Sequence, residues 1–324
     1  MDWLNLKARL LSEGTIHLKG VEASPYISSS AAGPGAGTSG SVFFSIGKGR
    51  VRLSLDPGSR IEMVHLGAGE TILYLEGQEI EGYLEPVALH CPRQAYLTLS
   101  GGCVYRCRYC EVPIVNSARK TPEQIEAMVA SVADRIDAIS ITSGVLYSLQ
   151  EEEDYTLEVV RRLKKFGIPL GVSIFPGNHT AERLYACGVT EVKFNIEAAT
   201  AKIFAAMCPN LDRDMVWQAL ETSVPLFGRG HVFSNLIIGL GETDEEAEQC
   251  IKALCERGVI PVLRPLNPAG ELKTWKRPSS ERLLRLFTTQ KQALKDGGLD
   301  PGDAVSMCVS CTGCDLGPGR DAPL

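Results

Sequence analysis

The chain has 324 residues, of which 44% are hydrophobic and 22% are charged, and its net charge is −6. A chain of this length exceeds one typical domain and can bury a large core. The composition is that of a globular protein, and the negative charge argues against a nucleic-acid backbone as the main partner. The N-terminus lacks an export signal and no stretch approaches about 18 apolar residues, so the sequence predicts a cytoplasmic protein without membrane association.

The first predicted region, residues 1–90, is rich in strands. It opens with a short amphipathic helix, and β-rich runs follow at 41–46, 51–55 and 71–75. The glycine-rich segment 28–40 lacks the Lys-Ser/Thr of a phosphate-binding loop, which favours a solvated loop or a lid. We expect this region to form a small β-rich N-terminal cap.

The second predicted region, residues 91–270, repeats a pattern of strand, loop and helix. Its six strand candidates are 95–99, 138–142, 170–175, 191–196, 231–238 and 259–264. This alternation predicts an α/β fold with parallel strands covered by helices, whose chemistry gathers at the carboxyl ends of the strands. The third region, 271–324, contains a helix around Ser280 to Lys295 and then a tail rich in Gly, Pro and Cys.

Three cysteines spaced CxxxCxxC, Cys103, Cys107 and Cys110, lie on the loop after the first strand of the second region. Three thiolates on one loop can hold three irons of a four-iron cluster and leave the fourth iron open. Zinc is the competing interpretation, but structural zinc usually has four ligands and no Cys or His follows closely enough to complete a local site. Disulfides are disfavoured in a long chain without an export signal.

A second triad, Cys308, Cys311 and Cys314, has the CxxCxxC spacing of ferredoxin-type ligands. It favours an auxiliary iron–sulfur cluster, and zinc stays open as an alternative because the fourth ligand must come from elsewhere. Cys91 is the candidate for that ligand, although a buried free thiol fits its position equally well. The other cysteines are expected in the core, at Cys187, Cys208, Cys250 and Cys255.

The first triad, with Tyr109 directly before its third cysteine, resembles the loop of the radical S-adenosylmethionine (radical SAM) superfamily. The resemblance implies that the open iron of a [4Fe-4S] cluster binds the methionyl end of S-adenosylmethionine. An electron from the cluster then cleaves that cofactor to methionine and a 5'-deoxyadenosyl radical, which abstracts hydrogen from an unactivated carbon. The resemblance further implies a partial, six-stranded parallel β/α barrel over residues 91–270, with Tyr109 beside the adenine.

The same resemblance implies contacts to S-adenosylmethionine after the second and fourth strands. Ser143 and Gly144 stand where the family has a Gly-Gly-Glu motif, although a plain turn explains them as well. Asn195 and Glu197 are two residues apart and so share one face of a strand, as in biotin-synthase-like enzymes, where a similar polar pair contacts the cofactor. Arg213 falls near the position of a carboxylate-binding cation, and a solvated Arg at a helix start is the alternative.

Two further contacts are implied at the fifth and sixth strands. Ile237 and Gly239 resemble part of the family pattern GxIxGxxE, whose first glycine is Asn235 here. Ile237 would support the adenine, and Gly239 would permit close packing. Leu266, after the sixth strand, would add an apolar contact to the adenine.

The segments around Cys91, Asn195 and Gly239 resemble the biotin synthase-related branch most closely. The glycine-rich N-terminal segment together with the cysteine tail resembles one subunit of the two-component archaeal-type lipoyl synthase. That resemblance implies sulfur insertion into an octanoyl chain on a carrier protein or peptide, with a second radical SAM subunit and an electron donor such as ferredoxin.

Two alternatives remain open. The first is radical SAM modification of a peptide or a cofactor precursor, in which the auxiliary cluster anchors the substrate or relays an electron. The second is a non-catalytic iron–sulfur electron carrier. The polar residues at the ends of strands four and five argue against a carrier, which needs no cofactor cleft.

Overall fold

The computed structural model describes residues 2–28, 40–115 and 118–324. Most of the predicted glycine-rich loop, residues 29–39, lies outside the described residues. The strands are β1 (Thr15–Gly20), β2 (Ser41–Ile46), β3 (Gly49–Leu55), β4 (Glu62–Gly67), β5 (Glu70–Leu75), β6 (Gln78–Leu84), β7 (His90–Cys91), β8 (Gln94–Thr98), β9 (Ala138–Thr142), β10 (Leu170–Ser173), β11 (Glu191–Lys193), β12 (Val232–Ile238) and β13 (Ile260–Pro265). The helices are α1 (Trp3–Glu13), α2 (Val112–Val115), α3 (Pro122–Ala130), α4 (Leu149–Leu163), α5 (Thr180–Ala186), α6 (Ala201–Met207), α7 (Arg213–Phe227), α8 (Asp244–Glu256), α9 (Ser280–Asp296) and α10 (Met307–Cys311). Within the described residues, no helix has the length and apolar character needed to cross a bilayer.

The N-terminal strands β1 to β6 close into a small barrel in the order β1-β3-β2-β6-β5-β4. Strand β1 runs parallel to both β3 and β4, and the other pairs are antiparallel. Along β4 and β5, buried residues alternate with more exposed ones, because successive side chains point to opposite faces of a strand. The barrel core is apolar and includes Ile16, Val42, Phe44, Val51, Leu53, Met63, Leu73 and Leu84. We refer to it as the N-terminal barrel.

The second sheet is open and contains six parallel strands in sequence order, β8 to β13, with β7 pairing antiparallel at one edge. Every residue of β12 is buried, as expected for a parallel sheet whose two faces are both covered. The predicted α/β class with a parallel sheet is confirmed. Thr121 caps the start of α3 with a capping box, in which the reciprocal partner is Gln124.

The C-terminal tail returns to the amino ends of the parallel strands. Glu191, the first residue of β11, is fully buried and accepts hydrogen bonds from the backbone N–H groups of Val305 and Ser306, at 3.0 and 2.8 Å. The Ser140 hydroxyl accepts a hydrogen bond of 2.9 Å from the Met307 N–H. These bonds hold α10, and with it the second cysteine triad, at the end of the sheet opposite to the first triad.

The N-terminal barrel holds the same tail from the other side. The Arg52 N–H donates to the Gly313 carbonyl at 2.6 Å, and Arg50 donates to the Cys311 carbonyl at 3.2 Å. The fully buried Lys7 ammonium binds the Thr312 carbonyl and pairs with Asp321 at 2.7 Å. The second triad is therefore enclosed between the N-terminal barrel and the open sheet.

Candidate active site

The first triad lies on the loop after β8, at the carboxyl end of the sheet. Its three cysteines are half-buried and free, and they line one cavity, which we call the upper cavity. Backbone hydrogen bonds fix the loop: the Val104 N–H donates to Val145 at 2.7 Å, and the Arg108 N–H donates to Met207 at 2.9 Å. The thiols are therefore held by neighbouring loops as well as by their own sequence.

Glu152 is a buried carboxylate that organises the start of this loop. It accepts hydrogen bonds from the Ser100 hydroxyl at 2.8 Å and the Ser143 hydroxyl at 2.5 Å, and it pairs with Arg119 at 2.6 Å. One side chain on α4 thus ties the loop after β8 to the loop after β9. Sequence reasoning missed Glu152, since nothing in the run Glu151-Glu152-Glu153 distinguishes the middle carboxylate.

Burial shifts the titration of the first triad. It raises the pKa of the Cys103 thiol and raises that of Cys110 to about 12. The pKa of Cys107 is also raised, chiefly through its hydrogen bond with the Cys208 thiol and then through burial. The thiols hold their protons at neutral pH, so binding a metal displaces those protons.

Tyr109 is buried in an apolar cluster that contacts Cys107 and Cys110. Ile237 and Leu266, predicted as adenine contacts, belong to the same cluster. Gly239 is in the left-handed region at φ 111°, and a Cβ there would lie 3.2 Å from Leu266 Cβ, so the turn requires a glycine. The fold therefore brings these four predicted residues together behind the first triad.

Cys208 is a second residue of this region that the sequence did not single out. Its sulfur lies 3.3 Å from the Tyr109 hydroxyl, and its thiol contacts Cys107. The sequence placed Cys208 in the core, and it is buried. Its proximity to the triad could not be read from the spacing, because about 100 residues separate them in the chain.

Asn195 and Glu197 line the upper cavity, but they do not lie on one strand as predicted. Strand β11 ends at Lys193, and Glu197 adopts the left-handed conformation with φ 57°. Burial raises the pKa of Glu197 to about 7. Its Oε2 has no hydrogen-bond partner among the described residues, and neither does the Thr98 hydroxyl in the same cavity. Buried polar atoms of this kind fit a cavity that receives a polar ligand.

The remaining predicted contacts divide into two groups. Ser143 and Gly144 line the upper cavity, and a Cβ on Gly144 would lie 2.4 Å from the Gly102 carbonyl oxygen, so only glycine fits against the cysteine loop. Arg213 lies outside the described lining of that cavity. Its guanidinium packs over the Trp217 ring and donates to the Ala199 carbonyl at 3.1 Å, so the structure does not bring it to the site.

The second triad lines another cavity, the lower cavity, together with Cys91. Cys308 and Cys311 lie on the short helix α10, and Cys314 follows it. The hydrogen bond from the Cys91 thiol, together with the nearby charge of Arg50, lowers the pKa of Cys311 to about 7. The Cys311 thiol can therefore ionise near neutral pH.

Two cations of the open sheet face Cys308. Lys193 is 3% exposed, and its ammonium lies 3.2 Å from the Cys308 sulfur and 3.4 Å from the Tyr96 hydroxyl. Burial opposes the charge of Lys193, but the electrostatic interactions with Cys308 and Tyr96 outweigh it and raise the pKa of the ammonium. Arg264 lies 3.7 Å from the same sulfur. Sequence reasoning overlooked Lys193, which lies within the predicted fourth strand, 191–196.

The two cavities share three lining residues, Thr142, Ser173 and Asn195. They therefore occupy two ends of one space along the inner face of the open sheet, which we call the lumen. Cys91 precedes β8 and Cys103 follows it, so the two cysteine sets lie beyond opposite ends of a five-residue strand, which spans roughly 17 Å at about 3.3 Å per residue.

The donor sets fit iron–sulfur clusters on chemical grounds. The upper cavity offers three thiols beside apolar and polar groups, and the lower cavity offers four thiols beside two cations that match thiolate charge. Within the described ranges, no group of three or more Cys, His, Asp or Glu residues is arranged to hold a single metal ion.

Residues 97–254 match the family model of the radical SAM superfamily. The lipoyl synthases of two strains of Leptospira biflexa serovar Patoc are each 23% identical over 177 residues, which cover 51% of this chain and 55% of theirs. The match therefore spans about half the length of these curated relatives.

Solved structures share the fold. The [FeFe]-hydrogenase maturase HydG aligns with a TM-score of 0.53 at 18% identity, over 64% of this chain and 50% of that one. SuiB from Streptococcus suis, bound to S-adenosylmethionine, aligns with a TM-score of 0.53 at 12% identity, over 64% of this chain and 48% of that one. Methylornithine synthase, PylB, aligns with a TM-score of 0.51 at 15% identity, over 64% and 70% of the two chains. At these identities the likeness shows the α/β fold alone.

Proposed function

Since residues 97–254 are a radical SAM domain, we propose that this protein inserts sulfur into an unactivated octanoyl chain, as in lipoyl synthesis. The observation that carries the proposal is the second set of cysteines, which faces the same lumen as the radical SAM triad. A radical generator alone needs one cluster. A second cluster at the far end of the lumen would supply the sulfur.

The radical SAM family implies a [4Fe-4S] cluster and S-adenosylmethionine, which supply an electron and a 5'-deoxyadenosyl radical when bound. Cys103, Cys107 and Cys110 would hold three of the irons. The apolar cluster around Tyr109 would exclude water from the adenine side of the cavity. Glu197 and Asn195 would accept hydrogen bonds from the cofactor on the opposite side, where a buried carboxylate oxygen is without a partner among the described residues.

In this proposal the second triad holds an auxiliary [4Fe-4S] cluster in the lower cavity. A cluster bound by thiolates is anionic, and the buried Lys193 with Arg264 would balance that charge. Both cations contact Cys308, so they would hold this cluster ligand in place at the lower end of the lumen. The acyl chain would lie between the two cysteine sets, beside Thr142 and Ser173.

The proposal includes partners. The octanoyl chain would arrive on a carrier protein or peptide, a second radical SAM subunit would share the two sulfur insertions, and a ferredoxin-type protein would deliver electrons. The 23% identity with lipoyl synthases supports this substrate class. Exposed apolar side chains beside the first triad, Ile114 and Val104, offer a surface for such a carrier.

The test is an anaerobic turnover assay with reconstituted protein, S-adenosylmethionine, dithionite and an octanoyl-lysine peptide. The expected result is thiolated peptide and deoxyadenosine, with loss of sulfide from one cluster. The Cys308→Ala variant should form deoxyadenosine without thiolated product, whereas Cys255→Ala, a buried cysteine on α8, should behave as the wild type. Deoxyadenosine without thiolation in the wild type would contradict sulfur insertion and favour modification of another substrate.

A further inference from the structure

Cys91 is placed by a tight hairpin at the amino end of the open sheet. Strand β7 contains only His90 and Cys91, and it pairs antiparallel with β8 through Cys91 opposite Gln94. His90 and Arg93 both adopt left-handed conformations, with φ 73° and 57°. Such angles are unusual for residues with side chains and indicate that surrounding structure fixes the hairpin. The hairpin turns the Cys91 thiol toward the tail.

The Cys91 thiol meets the second triad directly. It is 1% exposed, is hydrogen-bonded to the Cys311 thiol, and packs with Cys311 and Phe43 of the N-terminal barrel. Cys91, Cys308, Cys311 and Cys314 line one cavity. The tail that carries the other three cysteines is tied to the same strand, because the Gln94 side-chain amide donates to the Met307 carbonyl at 3.1 Å.

We infer that Cys91 is the fourth protein ligand of the auxiliary cluster, which is therefore closed, whereas the cluster of the first triad keeps one iron open. Cys91 would bind as a thiolate and release its proton to solvent. This inference rests on the proposed function, since it assumes that the lower cavity receives a four-iron cluster. A core cysteine without a role would not need three cysteines of a distant segment around it.

A fourth protein ligand limits what the auxiliary cluster can do. A cluster with four thiolate ligands has no free iron site, so it cannot anchor a substrate by direct coordination. Sulfur donation or electron relay remain compatible with four ligands. The closed site also couples the metal to the fold, because its ligands come from β7 and the tail while Phe43 forms a wall from the N-terminal barrel.

The experiment isolates the lower site. In a full-length background with Cys103, Cys107 and Cys110 all changed to Ala, only the auxiliary cluster can form. Iron and sulfide per chain and electron paramagnetic resonance spectra are measured after anaerobic reconstitution for this background, for Cys91→Ala and Cys91→Ser, and for the control Cys255→Ala. Circular dichroism and thermal unfolding check that each variant is folded.

We expect about four irons per chain in the background and in the Cys255→Ala control. Cys91→Ala should fall to about three irons with the signal of an oxidised three-iron cluster, or lose the cluster. Cys91→Ser should keep iron with a changed spectrum. A folded Cys91→Ala protein with about four irons and an unchanged spectrum would overturn the inference and leave the proposed function standing. A background that binds no iron, or one zinc, would overturn the auxiliary cluster and the inference together.

Discussion

The two cysteine sets of this protein are built in different ways. The first triad occupies eight consecutive residues, Cys103 to Cys110, on one half-buried loop. The lower set combines Cys91 with three cysteines more than 200 residues away, enclosed between two sheets. The first can be recognised from spacing alone. The second exists only when the tail, the open sheet and the N-terminal barrel are assembled.

The two cysteine sets are also held in place by different contacts. The loop of the first triad depends on contacts with the other loops and helices of the open sheet, such as the Glu152 network on α4. The lower set depends on long-range contacts of the tail with Glu191 and Arg52. Damage to one set should therefore leave the other intact, and the following predictions test that independence.

The largest effect is expected from removing one ligand of each set. Cys107→Ala should abolish deoxyadenosine formation, because the radical SAM cluster loses one of only three protein ligands. Cys308→Ala should keep deoxyadenosine formation and lose thiolated product. Product analysis by mass spectrometry after anaerobic turnover measures both. Loss of deoxyadenosine in both variants would show that the two sites are not independent.

The next effect is expected at Glu152, which is not among the residues that line the upper cavity. Glu152→Gln removes the charge that orders Ser100, Ser143 and Arg119, so deoxyadenosine formation should fall roughly 10- to 100-fold. The auxiliary cluster spectrum should stay unchanged. Glu151→Gln, at the exposed neighbour that also pairs with Arg119, is the matched control and should lose little activity. Equal losses in the two variants would contradict the role of Glu152.

A stability effect is expected where the tail meets the sheet. A Cβ on Gly171 would lie 2.2 Å from the Ser306 Oγ, which the Glu191 carboxylate holds in place. Gly171→Ala should therefore lower the free energy of unfolding by about 1 to 3 kcal/mol and reduce auxiliary iron, with the first cluster retained. Urea unfolding and iron analysis measure this. Gly177→Ala, whose added Cβ would have contacts of 3.6 Å, is the control and should be close to the wild type.

The smallest effect is a shift in the potential of the auxiliary cluster. Lys193→Met removes a buried positive charge 3.2 Å from the Cys308 sulfur. Its loss disfavours the reduced state of the auxiliary cluster, because that state carries one more negative charge than the oxidised state. The midpoint potential should fall by roughly 60 to 130 mV, as expected from about 1.5 to 3 kcal/mol for a charge-assisted hydrogen bond. A redox titration followed by electron paramagnetic resonance measures it, and Lys193→Arg should restore most of the potential. A rise in potential would contradict the contact.

Local sequence determined much of the molecule. The strands at Ser41–Ile46 and Ala138–Thr142 and the helix from Ser280 were predicted because hydrophobic periodicity is a property of neighbouring residues. The first triad was also recognised from local sequence, because its three cysteines and its aromatic neighbour Tyr109 lie within one loop.

Other features were decided only by the tertiary structure. The sequence did not reveal the conformation of Glu197, the displacement of Arg213 onto Trp217 or the meeting of Lys193 with Cys308. Each depends on residues far apart in the chain, brought together by strand order and by the return of the tail. The amino-acid pattern thus determined that two cysteine triads exist, and the packing of the sheet decided that they face each other across one lumen.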